Sequence, residues 1–140
     1  MQLAEEFLQR IFMFRKFKPQ HKINESMHGE SFILFCVASR KDMATPSEIS
    51  EALCVSSARV TAALNSLERK GYITRRIDGA DRRRVLIALT PSGRAEAERV
   101  RGTLLDILEK MLRSLGEYDA KEYVRITGRM AELALSEASL

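Results

Sequence analysis

The sequence predicts a mainly α fold with a small β-hairpin, and three observations within residues 45–93 predict it. Two short, capped helical patterns come first, over residues 45–54 and 56–70. Two runs of strand character follow, residues 72–77 and 84–89, around a glycine-containing turn crowded with arginines. Then Thr90-Pro91 starts another helix, because threonine caps and proline suits the first helical position. A basic hairpin directly after a helix pair is the arrangement of a winged helix-turn-helix. The remaining helices look like machinery for holding two such readers at a fixed separation, so the predicted class is a winged helix-turn-helix flanked by N- and C-terminal dimerisation helices.

The charge distribution supports that placement. The 140-residue chain carries a formal charge of +4. Residues 69–84 alone hold seven basic side chains against Asp78 and Asp81, a local net of +5, which leaves −1 for everything else. Charge concentrated this way marks a polyanion-facing patch. An apolar fraction of 45% is enough for a core and excludes global disorder. The length suits one domain, residues 1–140, with a DNA-binding lobe over 31–93 and a helical dimerisation region over 1–20 and 94–140. No apolar run long enough to span a bilayer occurs, and Glu5 and Glu6 stand where a signal peptide would need a basic start. Cys36 and Cys54 lie within helical apolar patterns, which suits a reducing compartment. The expectation is a cytoplasmic protein with no membrane partner.

The elements follow in chain order. Residues 2–18 read as an amphipathic helix with Leu3, Phe7, Ile11 and Phe14 on one stripe, stopped by Pro19. Such an apolar helix needs a partner. Residues 19–30 are polar and irregular, with Ile23 and Met27 as candidates for a short turn. Residues 31–40 are almost wholly apolar; a helix starting near Ser31 is favoured, with a buried strand as the alternative. Thr45, Pro46 and Glu48 form a capping box ahead of Ile49, Ala52 and Leu53. Ser56 or Ser57 caps the next helix, whose inner face is Val60, Ala63, Leu64 and Leu67, and Gly71 ends it in a left-handed conformation. The outer face carries small hydrogen-bonding residues, as a helix that approaches bases closely requires. The second strand places Val85, Ile87 and Leu89 on one face. A long helix then runs to about residue 115, with Gly102 as an interior cost or a close-contact point, and a last one covers about 118–138 after Gly116. These terminal helices exceed what the reader could bury, and a two-fold dimer is the economical answer.

Val60-Thr61, then LNSLERKGYITRR and DGADRRRVLIALTPSG, resemble the MarR family of winged-helix transcriptional regulators. The resemblance covers the organisation of essentially the whole chain. It implies a triangular, largely helical homodimer in which two winged modules bind a pseudo-palindromic operator in double-stranded DNA. It places Ser56, Ser57, Arg59, Thr61, Asn65, Ser66 and Arg69 on or beside the recognition helix, the early ones in the major groove and the later ones near phosphates. Asp81, Arg82 and Arg83 match the wing signature, in which one arginine reaches the minor groove and the aspartate holds the wing through a salt bridge. Which arginine does which stays open. Arg75, Arg76 and Arg84 are expected to screen the backbone. The family further implies a small phenolic or lipophilic effector in a cleft between dimerisation helices and winged module, near Phe7, Phe12, Phe14, Phe32, Phe35 and Tyr72.

Other chemistries find little purchase. His21 and His28, near Glu25 and Glu30, lack the spacing of a closed metal site, and no metal or other cofactor is expected. Redox-sensing relatives that answer peroxides tend to carry their cysteine in the first helix, where this chain has none. No catalytic constellation or glycine-rich phosphate loop is recognisable, so an enzyme is not expected. The function expected is a sequence-specific, ligand-responsive repressor. A non-specific architectural DNA binder and a dimeric interaction module with a silent winged helix are the alternatives.

Overall fold

The structure, a computed structural model, describes residues 2–14, 29–40 and 43–137. Its elements are α1 (Gln2–Phe14), α2 (Glu30–Ser39), α3 (Pro46–Leu53), α4 (Ser57–Arg69), β1 (Ile73–Ile77), β2 (Val85–Leu89), α5 (Pro91–Leu115) and α6 (Glu117–Glu137). The chain forms two compact units, Met1–Leu104 and Leu105–Leu140.

In the first unit, the apolar segment is helical, and the strand alternative is set aside. Residue 29, not Ser31, opens α2: the Gly29 carbonyl accepts from the Phe32 and Ile33 amides at 3.1 and 3.4 Å. Ile33, Leu34 and Val37 are its buried face. The capping box of α3 forms as expected, with Glu48 N–H donating to Thr45 Oγ1 at 3.2 Å and Thr45 N–H to Glu48 Oε2 at 2.8 Å. Of the two candidate caps for α4, Ser56 is the one used: its Oγ accepts from the Arg59 amide at 3.3 Å. Gly71 adopts φ +76° after the helix, the left-handed turn that aims the chain into β1.

β1 and β2 pair antiparallel, with Ile73 opposite Leu89 and Ile77 opposite Val85. Ala44 adds a lone antiparallel bridge to Ile87, whose amide donates to the Ala44 carbonyl at 2.8 Å. That bridge, absent from the sequence expectation, seats the start of α3 on the hairpin. Leu34, Ile49, Val60, Leu64, Leu67, Ile73 and Ile87 are essentially inaccessible and form the centre of one core.

The TPSG turn is a lock. Thr90 N–H donates to the Tyr72 carbonyl at 3.0 Å, and Thr90 Oγ1 and Ser92 Oγ both donate to the Gly71 carbonyl, at 2.6 and 3.1 Å. Gly93 sits so close that a Cβ there would lie 1.9 Å from the Tyr72 carbonyl oxygen. The hairpin's exit is thereby pinned to its entrance.

The second unit contains the end of α5 and all of α6, joined at Gly116 with φ +81°. Leu105, Leu108, Leu112, Gly116 and Ala120 floor an open apolar groove of about 820 Å³, rimmed by Glu109, Arg113, Glu117 and Lys121. α6 has no buried residue; Tyr123, Ile126, Met130 and Leu133 are all exposed. α1 has none either, with Leu3, Phe7, Leu8 and Phe12 exposed. Gly102 has nothing within 4 Å of its Cβ direction among the described residues, so the close-contact alternative is set aside. The expected turn at Ile23 and Met27, the continuation of the first helix to residue 18 and the last residue of the final helix lie outside the described residues.

Candidate nucleic-acid interface

The amphipathicity of α4 decides what the recognition helix shows. Val60, Leu64 and Leu67 are buried against α2, α3 and β1. Ser57, Arg59, Thr61, Asn65 and Arg69 are therefore exposed, as is the cap Ser56, while Ser66 is half-buried. Thr61 Oγ1 donates to the Ser57 carbonyl at 2.8 Å, the back-bond a helical threonine commonly makes. That bond uses the hydroxyl proton and leaves the oxygen able to accept.

The wing, residues 78–84, is built by its two aspartates. Asp78 Oδ1 accepts from the Ala80 amide at 3.0 Å, and Asp81 Oδ1 from the Arg83 amide at 3.0 Å. The loop closes through Asp78 N–H to the Arg84 carbonyl, at 2.9 Å, and Arg84 N–H to the Asp81 carbonyl, at 3.0 Å. Asp81 also pairs with Arg83 Nε at 3.3 Å, although the Arg83 side chain is 91% exposed. Arg82 is exposed and forms no ion pair among the described residues. Arg84 lies at the wing's base, 3.5 Å from Glu48 and 3.8 Å from Asp78. The arginine triplet is thus divided: Arg84 braces the wing on α3, Arg83 lies along Asp81, and Arg82 projects.

Arg75, on β1, reaches back to the recognition helix. Its Nη2 donates to Asn65 Oδ1 at 2.8 Å and its Nη1 lies 3.2 Å from Glu68 Oε2. Asn65, Glu68, Arg69 and Arg75 line an open groove of about 410 Å³. The sequence reading missed both braces, Arg75 to Asn65 and Arg84 to Glu48. Turn chemistry around the hairpin signals that strands return, but not which arginine folds back.

Electrostatics follow the same lines. The Thr45 amide hydrogen bond holds the Glu48 carboxyl below its ordinary pKa, with smaller help from the Arg40 and Arg84 charges. Burial pushes the Cys36 thiol up despite Arg40, so it favours the unreactive protonated form. Cys54 departs from the expected apolar setting. It is exposed at the C-cap of α3 with φ +50°, because the chain must leave the helix there through a left-handed residue. Among the described residues no group of three or more His, Cys, Asp and Glu side chains could hold a metal; His21 and His28 lie outside those residues. Nor is any described helix long and apolar enough to cross a membrane. The aromatic side chains expected around an effector differ in their settings. Phe32 and Phe35 stack on α2 at 6.3 Å, Tyr72 is half-buried against the core, and Phe7, Phe12 and Phe14 are exposed on α1.

A family model described as the MarR family matches residues 28–85, which span α2 through the wing. The HTH-type transcriptional repressor MdtR of Bacillus subtilis is 31% identical over 127 residues, covering 87% of this chain and 81% of that protein. This chain belongs to the MarR family. Two solved MarR-like structures are similar over nearly full length. FabT of Streptococcus pneumoniae, crystallised in complex with DNA, has a TM-score of 0.67 and 27% identity, covering 99% of each chain. MepR, a regulator of the Staphylococcus aureus multidrug efflux pump MepA, has a TM-score of 0.64 and 26% identity, covering 93% of this chain and 97% of its own. Membership makes the chain a DNA-binding transcriptional regulator with a winged helix-turn-helix reader. The MarR-type reader is α3, α4 and the β1–β2 wing.

Proposed function

We propose that the chain is a homodimeric, sequence-specific repressor that binds a pseudo-palindromic operator, with one winged lobe on each half-site. The observation that carries the reading is the single polar surface formed by the outer face of α4 and the arginine wing, held together by the Arg75 and Arg84 braces. Ser56, Ser57, Arg59 and Thr61, in the first turn or so of α4, would meet base edges. Arg69, Arg76 and Arg83 would supply salt-sensitive phosphate contacts, and Arg82, exposed and outside any ion pair among the described residues, would be the arginine that reaches the minor groove. Ser66, half-buried on the same helix, would lie nearer the phosphates.

The second copy is supported by the apolar side chains that α1 and α6 leave in water, a quantity a monomer rarely displays. The repressor sense follows the kinship with MdtR, itself a repressor. A small phenolic or lipophilic effector would act through a coupling free energy, favouring a separation of the two lobes that no longer matches the half-sites. Footprinting on operator DNA selected from a random pool tests the proposal. Protection of two half-sites whose centres lie about 34–36 Å apart is the expected result. Uniform protection of every duplex at equal affinity would instead identify a non-specific architectural binder.

A further inference from the structure

The hairpin changes character along one face. The ladder pairs Ile73–Leu89, Arg75–Ile87 and Ile77–Val85 fall on the same side of the two strands. At the base of that side, Ile73 and Ile87 are inaccessible in the core. Arg75, opposite Ile87, reaches α4 through Asn65 at 2.8 Å. The last pair before the wing is uncovered. Ile77 is 69% exposed, the most exposed large apolar side chain among the described residues from 29 to 104, and Val85 is 37% exposed. Single apolar side chains scattered over a surface are ordinary. This is a cross-strand pair in the most basic stretch of the chain, with Arg76 exposed beside it and Arg82 and Arg83 exposed in the loop that follows.

Its place along the hairpin indicates what covers it. On the proposed reading, α4 lies in the major groove and Arg82 enters the neighbouring minor groove. One sugar-phosphate strand separates two adjacent grooves of a duplex, so the hairpin crosses that strand between its contact with α4 and its tip. Ile77 lies two residues beyond Arg75, about 7 Å along an extended strand, and the wing loop begins at the next position. The apolar pair falls at the crossing. The guanidinium groups on either side of it are committed elsewhere, Arg75 to Asn65 and Glu68, and Arg84 to Glu48 and Asp78. Phosphate oxygens gain nothing from isoleucine and valine, whereas the carbon face of a deoxyribose does. We propose that Ile77 and Val85 form an apolar seat for a deoxyribose of the strand between the two grooves, a contact that supplies affinity without charge and without reading a base. The proposal rests on operator binding by the winged lobe.

The test measures the full-length protein on its selected operator and on every single-base variant of it, by fluorescence anisotropy over a salt series. Ile77→Ala removes three carbons and no charge. Affinity is expected to fall about 4- to 15-fold per chain, the range for one to two methylene groups kept from water. The factor should be the same on the operator and on all its variants, and the slope of log K against log salt should not change. A wing loosened by the substitution would instead lose the phosphate contacts of its arginines and flatten that slope. That result overturns the proposal, as does wild-type affinity. A loss confined to one position per half-site would put the side chain on a base edge, such as a thymine methyl, and overturns it too. Ile77→Lys checks the placement separately. Its ammonium would meet the phosphates flanking that sugar and steepen the slope by about 0.9 for each one neutralised; an unaltered slope counts against the proposal. Failure of the wild type to select any operator would refute the proposed function itself, and this inference with it, before either variant is made.

Discussion

The winged lobe and the terminal helices use similar residues to opposite ends. In the lobe, Leu64 is 1% exposed and Ile49 is inaccessible; on α6, Met130 is 57% exposed and Leu133 55%. Both stretches have helical amphipathic periodicity. Periodicity reports that a face wants cover, but not whether the same chain supplies it. The lobe covers its own faces through three helices, a hairpin and the Ala44 bridge. α1 and α6 hold apolar stripes with nothing buried among the described residues. On the proposed reading, the lobe recognises DNA and the helices pair two copies.

The largest expected loss is at the hairpin lock. Gly93→Ala drives a Cβ into the Tyr72 backbone, and because the Cβ position is fixed by its own backbone and the Tyr72 atoms are main chain, neither can rotate aside. A destabilisation of about 3 kcal/mol or more is expected in chemical denaturation, at the upper end for overpacking. Leu64→Ala comes next, at about 2–5 kcal/mol for a buried leucine. The comparison sharpens if Leu133→Ala, the same change on α6, leaves lobe unfolding within about 0.5 kcal/mol of wild type, as exposed sites do.

Arg82→Ala with Arg83→Ala should leave that unfolding unchanged, since Arg82 forms no ion pair among the described residues and Arg83 pairs only with Asp81 at the surface. DNA affinity should fall, and the slope of log K against log salt should shrink by about 0.9 for each phosphate that is no longer neutralised. An unaltered slope with unaltered affinity would separate the wing from DNA recognition.

The smallest effect concerns the capping box of α3. Thr45→Ala should cost about 1 kcal/mol, typical of an N-cap. Glu48 adds a pH dependence. Its folded carboxyl titrates below the ordinary value, because the Thr45 amide favours the charged form. The stabilisation is thus complete above the ordinary carboxylate pKa and is lost as pH falls through the depressed folded one. Glu48→Gln should flatten that acid limb in thermal melts, whereas an unchanged limb would show that the bond contributes nothing.

Much of this was legible from residue order because it is local. The capping box, the Gly71 exit, the outward face of α4 and the Asp-Gly turn all depend on neighbours within a few positions, and all formed. The Thr90-Pro91 start was legible too, but its grip on Gly71 and Tyr72 was not, since that contact spans about twenty positions. Non-local pairings were the blind spot. Arg75 and Arg84 read as charges screening the DNA backbone, yet each is held by a residue whose role was already accounted for, Asn65 on the recognition helix and Glu48 as a cap. Cys54 was misplaced for a related reason: flanking leucine and valine suggest burial, while the left-handed exit turns it to solvent.

The division of labour between lobe and helices is tested most directly by the stoichiometry of the DNA complex. Sedimentation of the protein with one operator duplex should give two chains per duplex. Leu133→Glu, which places a charge on the exposed stripe of α6, should give a folded single chain with much weaker operator binding. One wild-type chain per duplex at full affinity, or a Leu133→Glu variant that still binds as a pair, would contradict the account.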